Sequence, residues 1–242
     1  MKTDTYVYTN QGGREYNEDS AAVREEQGHG IYVVADGLGG HQRGDLASDC
    51  ITSSLTDSWR MDTGQEERAE ELREQIAAAN RRLLAIQQEQ QCTMKSTVVV
   101  LAIDEARAAW AHVGDSRLYY LHRGRIADVT EDHSVSYKKY KAGEITRAQI
   151  SQDEDQSRLL RSLGGRDHWE PDIHVLEEDL EPGDAFLLCS DGAWEYLYDE
   201  EILIDLLKAE RAENWTEMLL SRIQERIDSD NDNLTLLTVM LR

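Results

Sequence analysis

The 242-residue chain is short of positive charge, cysteine, proline and long apolar runs, and each shortage removes a class of protein. Its 26 lysines and arginines face 48 aspartates and glutamates, a net charge of −22. Nucleic-acid binding rests on cations that neutralise phosphates, so no nucleic-acid partner is expected, and the same field repels acidic membranes. Cys50, Cys92 and Cys189 are odd in number and lack C-x-x-C spacing. That argues against a disulfide framework or zinc cluster and reads as buried or half-buried thiols in a reducing compartment. The longest apolar run, about Val98 to Ile103, is far below the ~18 residues of a membrane span, and the opening MKTDTYVYTNQGG lacks the apolar core of a secretory signal. A cytoplasmic protein with no membrane partner is expected. With only Pro171 and Pro182 and no Gly/Ser/Pro-rich linker, the chain reads as one domain over 1–242.

What is present is a series of apolar, β-branched runs that end in turn residues. Ile31 to Ala35, Thr97 to Ile103, Ala108 to Val113, Leu118 to Leu121, Ala185 to Cys189 and Leu234 to Leu241 are predicted strands. Gly114-Asp115 is expected to turn a hairpin between Trp110 and Tyr119. Helical spacing joins Ala47, Ile51 and Leu55, and again Leu72, Ile76, Ala79, Leu83 and Ile86. The second stripe lasts about two heptads, which favours packing on the protein's own sheet over a coiled coil. Two more helices are expected over Ile202 to Leu207 and from Trp215 to Ile227. The stretch from about Asp132 to Gly165 is polar and weakly periodic, a surface lobe or a flap beside a site. Strands joined by short turns, without regular βαβ alternation, predict an α+β fold with mainly antiparallel sheets.

Carboxylates recur at the strand ends: Asp36, Asp115, Asp191 and Asp232, with Glu18 and Asp19 closing "REYNED". If these ends converge, carboxylates ~5 Å apart repel by ~3 kcal/mol at an effective dielectric of ~20. Such a cluster requires cations or protons, and hard divalent ions with oxygen ligands are the natural answer. Gly37 after Asp36 is expected to turn the backbone and bring a peptide carbonyl within reach of an ion, and Gly192 after Asp191 to turn it in the same way. A phosphate cradle at GLGG is disfavoured because neither G-x-G-x-x-G nor a P-loop is present. Ser190 lacks the G-x-S-x-G elbow of a serine hydrolase, and Cys189 sits in an apolar run without a phosphate loop.

The motifs "REYNED", "VADGLGGH", "AHVGDSRLYYLHRG", "DHS", "LLRSLGG", "GDAFLLCSDGAWEYLYDEEI" and "DNLTLLTVM" follow in this order. Together they resemble the metal-dependent Ser/Thr protein phosphatases of the PPM family (protein phosphatase type 2C) in compact bacterial form. The resemblance implies a four-layer α-β-β-α sandwich of two mainly antiparallel sheets flanked by helices, with a flap at about 133–160. It implies hydrolysis of phosphoserine and phosphothreonine in proteins by a metal-activated water at a binuclear Mn²⁺ or Mg²⁺ site, with a third ion possible. On this resemblance Asp36, Asp191 and Asp232 are metal ligands with the Gly37 carbonyl. Asp115 belongs to the third ion, and Glu18 and Asp19 act through water. Arg14 binds phosphate, and Asn233 supports the last ligand. Leu38 stands where some relatives carry a histidine acid, so His41 is the candidate general acid, with a metal-bound water or a structural histidine as alternatives. Lys95 stands where a glycine is common. Implied partners are phosphorylated proteins and a separate Ser/Thr kinase acting on them, with the enzyme a monomer. The competing reading is a catalytically weak phosphoprotein- or metabolite-binding module on the same fold. The net charge is expected to disfavour substrates with acidic flanks.

Overall fold

Alternate residues of the central strands are buried in different layers, and this builds the architecture. In β3 (His29–Gly39), Ile31, Val33 and Ala35 join one apolar cluster while Tyr32 and Val34 join another. In β5 (Val98–Asp104), Val98 and Val100 join the first, and Val99, Leu101 and Ile103 the second. The same period-two division recurs in β10 (Ala185–Cys189), where Phe186 and Leu188 face the shared cluster and Ala185, Leu187 and Cys189 a third one. Strands buried on both faces read as continuous apolar runs, which is why these were legible.

The computed structural model describes residues 1–39, 43–60, 65–227 and 229–242. One antiparallel sheet has the order β1-β11-β10-β7-β8, with β1 at Thr3–Asn10, β7 at Arg117–His122, β8 at Arg125–Val129 and β11 at Leu234–Leu241. The other runs β2-β3-β5-β6-β9, with β2 at Asp19–Glu26, β6 at Arg107–Val113 and β9 at Asp172–Val175, and β4 (Met94–Ser96) pairs with the far end of β3. Tyr32, Leu101, Trp110, Phe186, Leu237 and Val239 fill the space between the sheets. Helices α1 (Gly44–Ser58) and α2 (Gln65–Gln90) cover one sheet. Helices α5 (Asp199–Lys208) and α6 (Ala212–Gln224) cover the other. The result is the expected four-layer α+β sandwich.

The α2 stripe Leu72, Ile76, Ala79 and Leu83 is buried against the sheet beneath it, as its two-heptad length suggested. Trp215 of α6 is fully buried, and its indole N–H donates to the Ile202 carbonyl at 3.1 Å, which ties α6 to α5. Truncating a side chain so placed costs about 3–5 kcal/mol.

The Trp110 to Tyr119 hairpin is corrected. Strands β6 and β7 lie in different sheets, and Gly114, at φ 107°, hands the chain from one to the other. Each strand finds its partners elsewhere: β6 pairs β5 and β9, and β7 pairs β10 and β8. Alternation gives the strands but not their partners, and here burial between two sheets outweighs the local turn.

The polar stretch leaves and returns at one point. Leu160 N–H donates to His133 O at 2.7 Å and Val135 N–H to Arg158 O at 3.0 Å, closing its base. Between them lie α3 (Val135–Lys141), whose first turn is capped by Ser134 Oγ accepting from Tyr137 N, and a 3₁₀ turn at Arg147–Gln152. Tyr137 and Ile150 sink into the apolar cluster below.

Candidate metal centre

Both sheets present acidic residues at the same end of the sandwich. Asp36 lies where β3 leaves its ladder with β2, facing Asp19 in the last pair of that antiparallel ladder. Asp191 opens the short helix α4 (Asp191–Trp194) after β10, Asp232 precedes β11, and Asp115 lies on the crossover between the sheets. Ligand oxygens of Asp36, Asp115 and Asp191 all lie within 4.8 Å of one another. Arg14, Glu18, Gly37, Asp232 and Asn233 join them around one cleft of about 460 Å³.

The neighbouring backbone holds these carboxylates in place. Asp36 N–H donates to Thr97 Oγ1 at 3.0 Å, and that hydroxyl also bonds Ser116 Oγ at 2.7 Å, tying the Asp36 strand end to the residue after Asp115. Ser190 Oγ donates to Asp19 Oδ2 at 2.7 Å, while among the described residues buried Asp19 Oδ1 has no hydrogen-bond partner. Gly37 and Gly192 serve close approach rather than the sharp turning expected of them. Neither has positive φ. A Cβ on Gly37 would lie 2.0 Å from Gly44 O, and one on Gly192 2.1 Å from Asn233 O. Any side chain there would push apart the segments that carry the carboxylates.

The electrostatics follow from crowding. Burial, then the charges of Asp191, Asp19 and Asp115, hold the Asp36 carboxyl well above the ordinary range. Burial and the Asp191 charge do the same to Asp115. Burial pushes Asp19 up to about 7 despite the Ser190 hydrogen bond, and burial with the Asp232 charge pushes Asp191 up to about 6. Acids that resist ionisation because they are buried, and buried together, form with the buried Asp19 oxygen a donor set that fits hard divalent cations.

Arg14 and Asp232 stand apart from this triplet. The Arg14 guanidinium grips both Asp232 oxygens, at 3.1 and 2.9 Å, with the two side chains about half exposed. Asn233 organises the loop that carries Arg14: its amide donates to Gln11 O and Tyr16 O, and its Oδ1 accepts from Glu18 N–H at 2.8 Å. Glu18 Oε1 accepts from Gly44 N–H at 2.9 Å, the first residue of α1. Ser157 and Leu159, from the polar stretch, complete the cleft wall. His41 lies outside the described residues.

Sequence reasoning missed the layer behind the carboxylates. Arg117 makes a two-pronged ion pair with Asp132 at 2.8 and 2.7 Å, and its guanidinium lies 3.5 Å from the ring of Trp194, whose indole N–H donates to Asp115 O. GDSR and DHS were the only signal, and their pairing is a tertiary contact. Ser190 is fully buried on Asp19, and burial pushes the Cys189 thiol up, so neither is a nucleophile. A second group, His112, His133 and Asp172, also brings ligand atoms within 4.8 Å. There the two imidazoles stack face to face at 4.5 Å, and Arg161 Nη1 reaches Asp172 at 2.6 Å, so a guanidinium already supplies the cation.

Comparison with known proteins agrees with this arrangement. The profile of the family described as Protein phosphatase 2C matches residues 10–231. The chain is 33% identical over 205 residues to the serine/threonine phosphatase stp of Listeria welshimeri, covering 82% of this chain and 80% of that one. It is 32% identical over 180 residues to protein phosphatase PhpP of Streptococcus pneumoniae, covering 72% of each. Its fold superposes on the serine/threonine phosphatase of S. agalactiae with TM-score 0.87 and 26% identity over 100% of both chains. Among the described residues no helix is long and apolar enough to cross a membrane.

Proposed function

The chain belongs to the protein phosphatase 2C family and is a serine/threonine protein phosphatase, and from that premise we propose that the acidic cleft is its catalytic centre, a binuclear Mn²⁺ or Mg²⁺ site. The observation that carries this reading is the convergence of Asp36, Asp115 and Asp191 within 4.8 Å of one another in the cleft that also holds Arg14 and Asp232. Asp36, Asp191 and Asp232, with the Gly37 carbonyl, would hold two ions. Asp115 with Asp191 would hold a third, and Glu18 and Asp19 would act through water. When bound, such ions offset the clustered charge and acidify a water for attack on phosphorus.

The chain's own groups orient the substrate. Arg14 has the planar fork that suits two phosphate oxygens, and its present partner Asp232 is itself a proposed ligand. Exchanging that half-exposed carboxylate for a phosphate costs about 1 kcal/mol or less. Asn233 holds the Arg14 loop against β11, so the guanidinium approaches from a fixed direction. The Leu38 side chain has no proton to give, so it does not take the part of a histidine acid.

In the same reading residues 1–242 form one catalytic domain with a flap at 133–160, which contributes Ser157 and Leu159 to the cleft wall. The substrates are phosphoproteins, supplied by a separate Ser/Thr kinase in the cytoplasm, and the enzyme acts as a monomer. The test is phosphate release from a phosphothreonine peptide with Mn²⁺, with EDTA, and with Asp191→Ala. Activity that needs both the ion and Asp191 supports the site. Activity that survives EDTA and the substitution sinks it.

A further inference from the structure

Leu38, where some relatives carry a histidine, and Lys95, where a glycine is common, are direct partners across the β3–β4 ladder. Directly opposed residues on an antiparallel pair share one face of the sheet. Both are exposed, Leu38 at 39%. Leu38 and Gly39 form part of the wall of the acidic cleft and also of a second groove of about 630 Å³, so the two spaces meet along this edge. The second groove has the opposite character. It is lined by Arg43, Lys95 and Thr93, with no acidic residue among its described lining.

In a chain of net charge −22 that contrast is informative. Cations elsewhere are commonly spent on carboxylates, as with Arg107 on Asp179, Arg123 on Glu181 and Lys141 on Glu131. Among the described residues neither Arg43 nor Lys95 forms an ion pair; Arg43 only donates to the amide oxygen of Gln90 at 3.2 Å. Two uncommitted cations and a hydroxyl in a groove continuous with the cleft make an anion subsite.

We propose that this groove binds an anionic side chain, carboxylate or second phosphate, that flanks the phosphoresidue held in the cleft, with Leu38 packing against the peptide between them. The proposal rests on the phosphatase reading of the cleft. An extended peptide advances about 3.3 Å per residue, so a groove that begins at the cleft wall meets a side chain about two to four residues from the phosphoresidue. This narrows the expectation drawn from net charge: acidic flanks are disfavoured along most of the cleft and favoured on the Lys95 side.

The test is a phosphothreonine peptide series in which a single Glu, Gln or phosphoserine is moved through the four positions on either side. The ratio of kcat/KM for the Glu peptide to that for the Gln peptide is read within each protein. In the wild-type enzyme with Mn²⁺ at low salt, one position should show a ratio of about three to ten, the size expected of one or two exposed ion pairs. The ratio should fall below two in Lys95→Gln and in Lys95→Gln/Arg43→Gln, and should shrink as salt screens the pair. Phosphoserine at that position should exceed Glu if the groove is tuned to phosphate and equal it if tuned to carboxylate, either result supporting an anion subsite. A ratio at or below one at every position, or a preference that survives the double substitution, overturns the proposal. Hydrolysis of para-nitrophenyl phosphate by the wild-type enzyme separates the two levels. Turnover of that ester without any flank preference rejects the subsite alone, and its absence with Mn²⁺ rejects the phosphatase reading of the cleft.

Discussion

Two acidic regions of this molecule are built on opposite principles. On the α5–α6 face Asp205 is 2% exposed, yet both its oxygens meet Arg222, at 2.5 and 2.8 Å, and Glu201 is shared between Arg222 and Arg226. At the cleft, Asp36, Asp115 and Asp191 bring oxygens within 4.8 Å of one another with the Asp19 charge also acting on Asp36, and Arg14 in the cleft wall is committed to Asp232. Just behind the cleft Arg117 neutralises Asp132 rather than Asp115. The fold therefore pairs Asp132 and Asp232 with guanidiniums and, among the described residues, leaves the triplet Asp36, Asp115 and Asp191 without an ion pair. Charge that the protein can pair internally stabilises it; charge left unpaired makes the site depend on a ligand for its counter-charge.

Substitutions separate these two designs. Asp191→Ala should lower kcat/KM by at least about a hundredfold while leaving the far-ultraviolet circular dichroism unchanged, because it removes a proposed metal ligand. Asp132→Asn should cost about 3–5 kcal/mol in urea unfolding, since it leaves the buried Arg117 without its carboxylate. Asp115→Asn should act in the other direction: in EDTA at pH 8 it removes one member of a repelling cluster and should stabilise the protein by about 3 kcal/mol. If Asp115→Asn and Asp132→Asn destabilise alike, the cleft carboxylates are not mutually repelling and the contrast fails.

The same contrast explains what was legible in the sequence. The cleft was readable because its residues stand at the ends of doubly buried strands, so apolar runs from Ile31, Ala185 and Leu234 flagged where Asp36, Asp191 and Asp232 would be placed. The edge strands β1, β2, β8 and β9 were not resolved as strands, because an edge carries charged or exposed residues on one side and its pattern is diluted: β2 reads DSAAVREE and β9 only DIHV. The Gly114-Asp115 step misled for a related reason, since a turn signal does not say whether the next strand stays in the same sheet. The Arg117–Asp132 pair was invisible because fifteen residues separate its members and neither is anomalous alone. The resemblance names Asp36, Asp191 and Asp232 as ligands with Asp115 beside Asp191; in the structure Asp36, Asp115 and Asp191 form the close triplet and Asp232 is turned to Arg14.

Acid should expose the difference between paired and unpaired groups in two pH windows. His133 is 7% exposed at the base of the 133–160 stretch, and burial with its stacked neighbour His112 lowers it to about 4. Its folded form binds fewer protons than the unfolded chain between about 4 and 6.5, so stability should fall as pH drops through that window, by at most about 3 kcal/mol. His112 is lowered by burial as well and adds to the same limb. Glu201 is the paired case. Hydrogen bonding to Arg226 depresses it to about 2, so its contribution is fully present above about 4.5 and is lost only as pH falls from there through about 2. Because the two arginines are about one-third exposed, solvent screening limits that loss to about 1 kcal/mol. Comparing urea midpoints of each variant with the wild type from pH 8 to pH 2 isolates these two steps from the cleft carboxylates, which burial holds up, Asp191 to about 6 and Asp19 to about 7, and which therefore gain stability as pH falls. The His133 step lies between 6.5 and 4 and the Glu201 step below 4.5. Glu201→Gln should flatten the lower step and leave the upper one, whereas His133→Asn should do the reverse. If Glu201→Gln removes the upper step instead, the assignment of the two windows to these two regions is wrong.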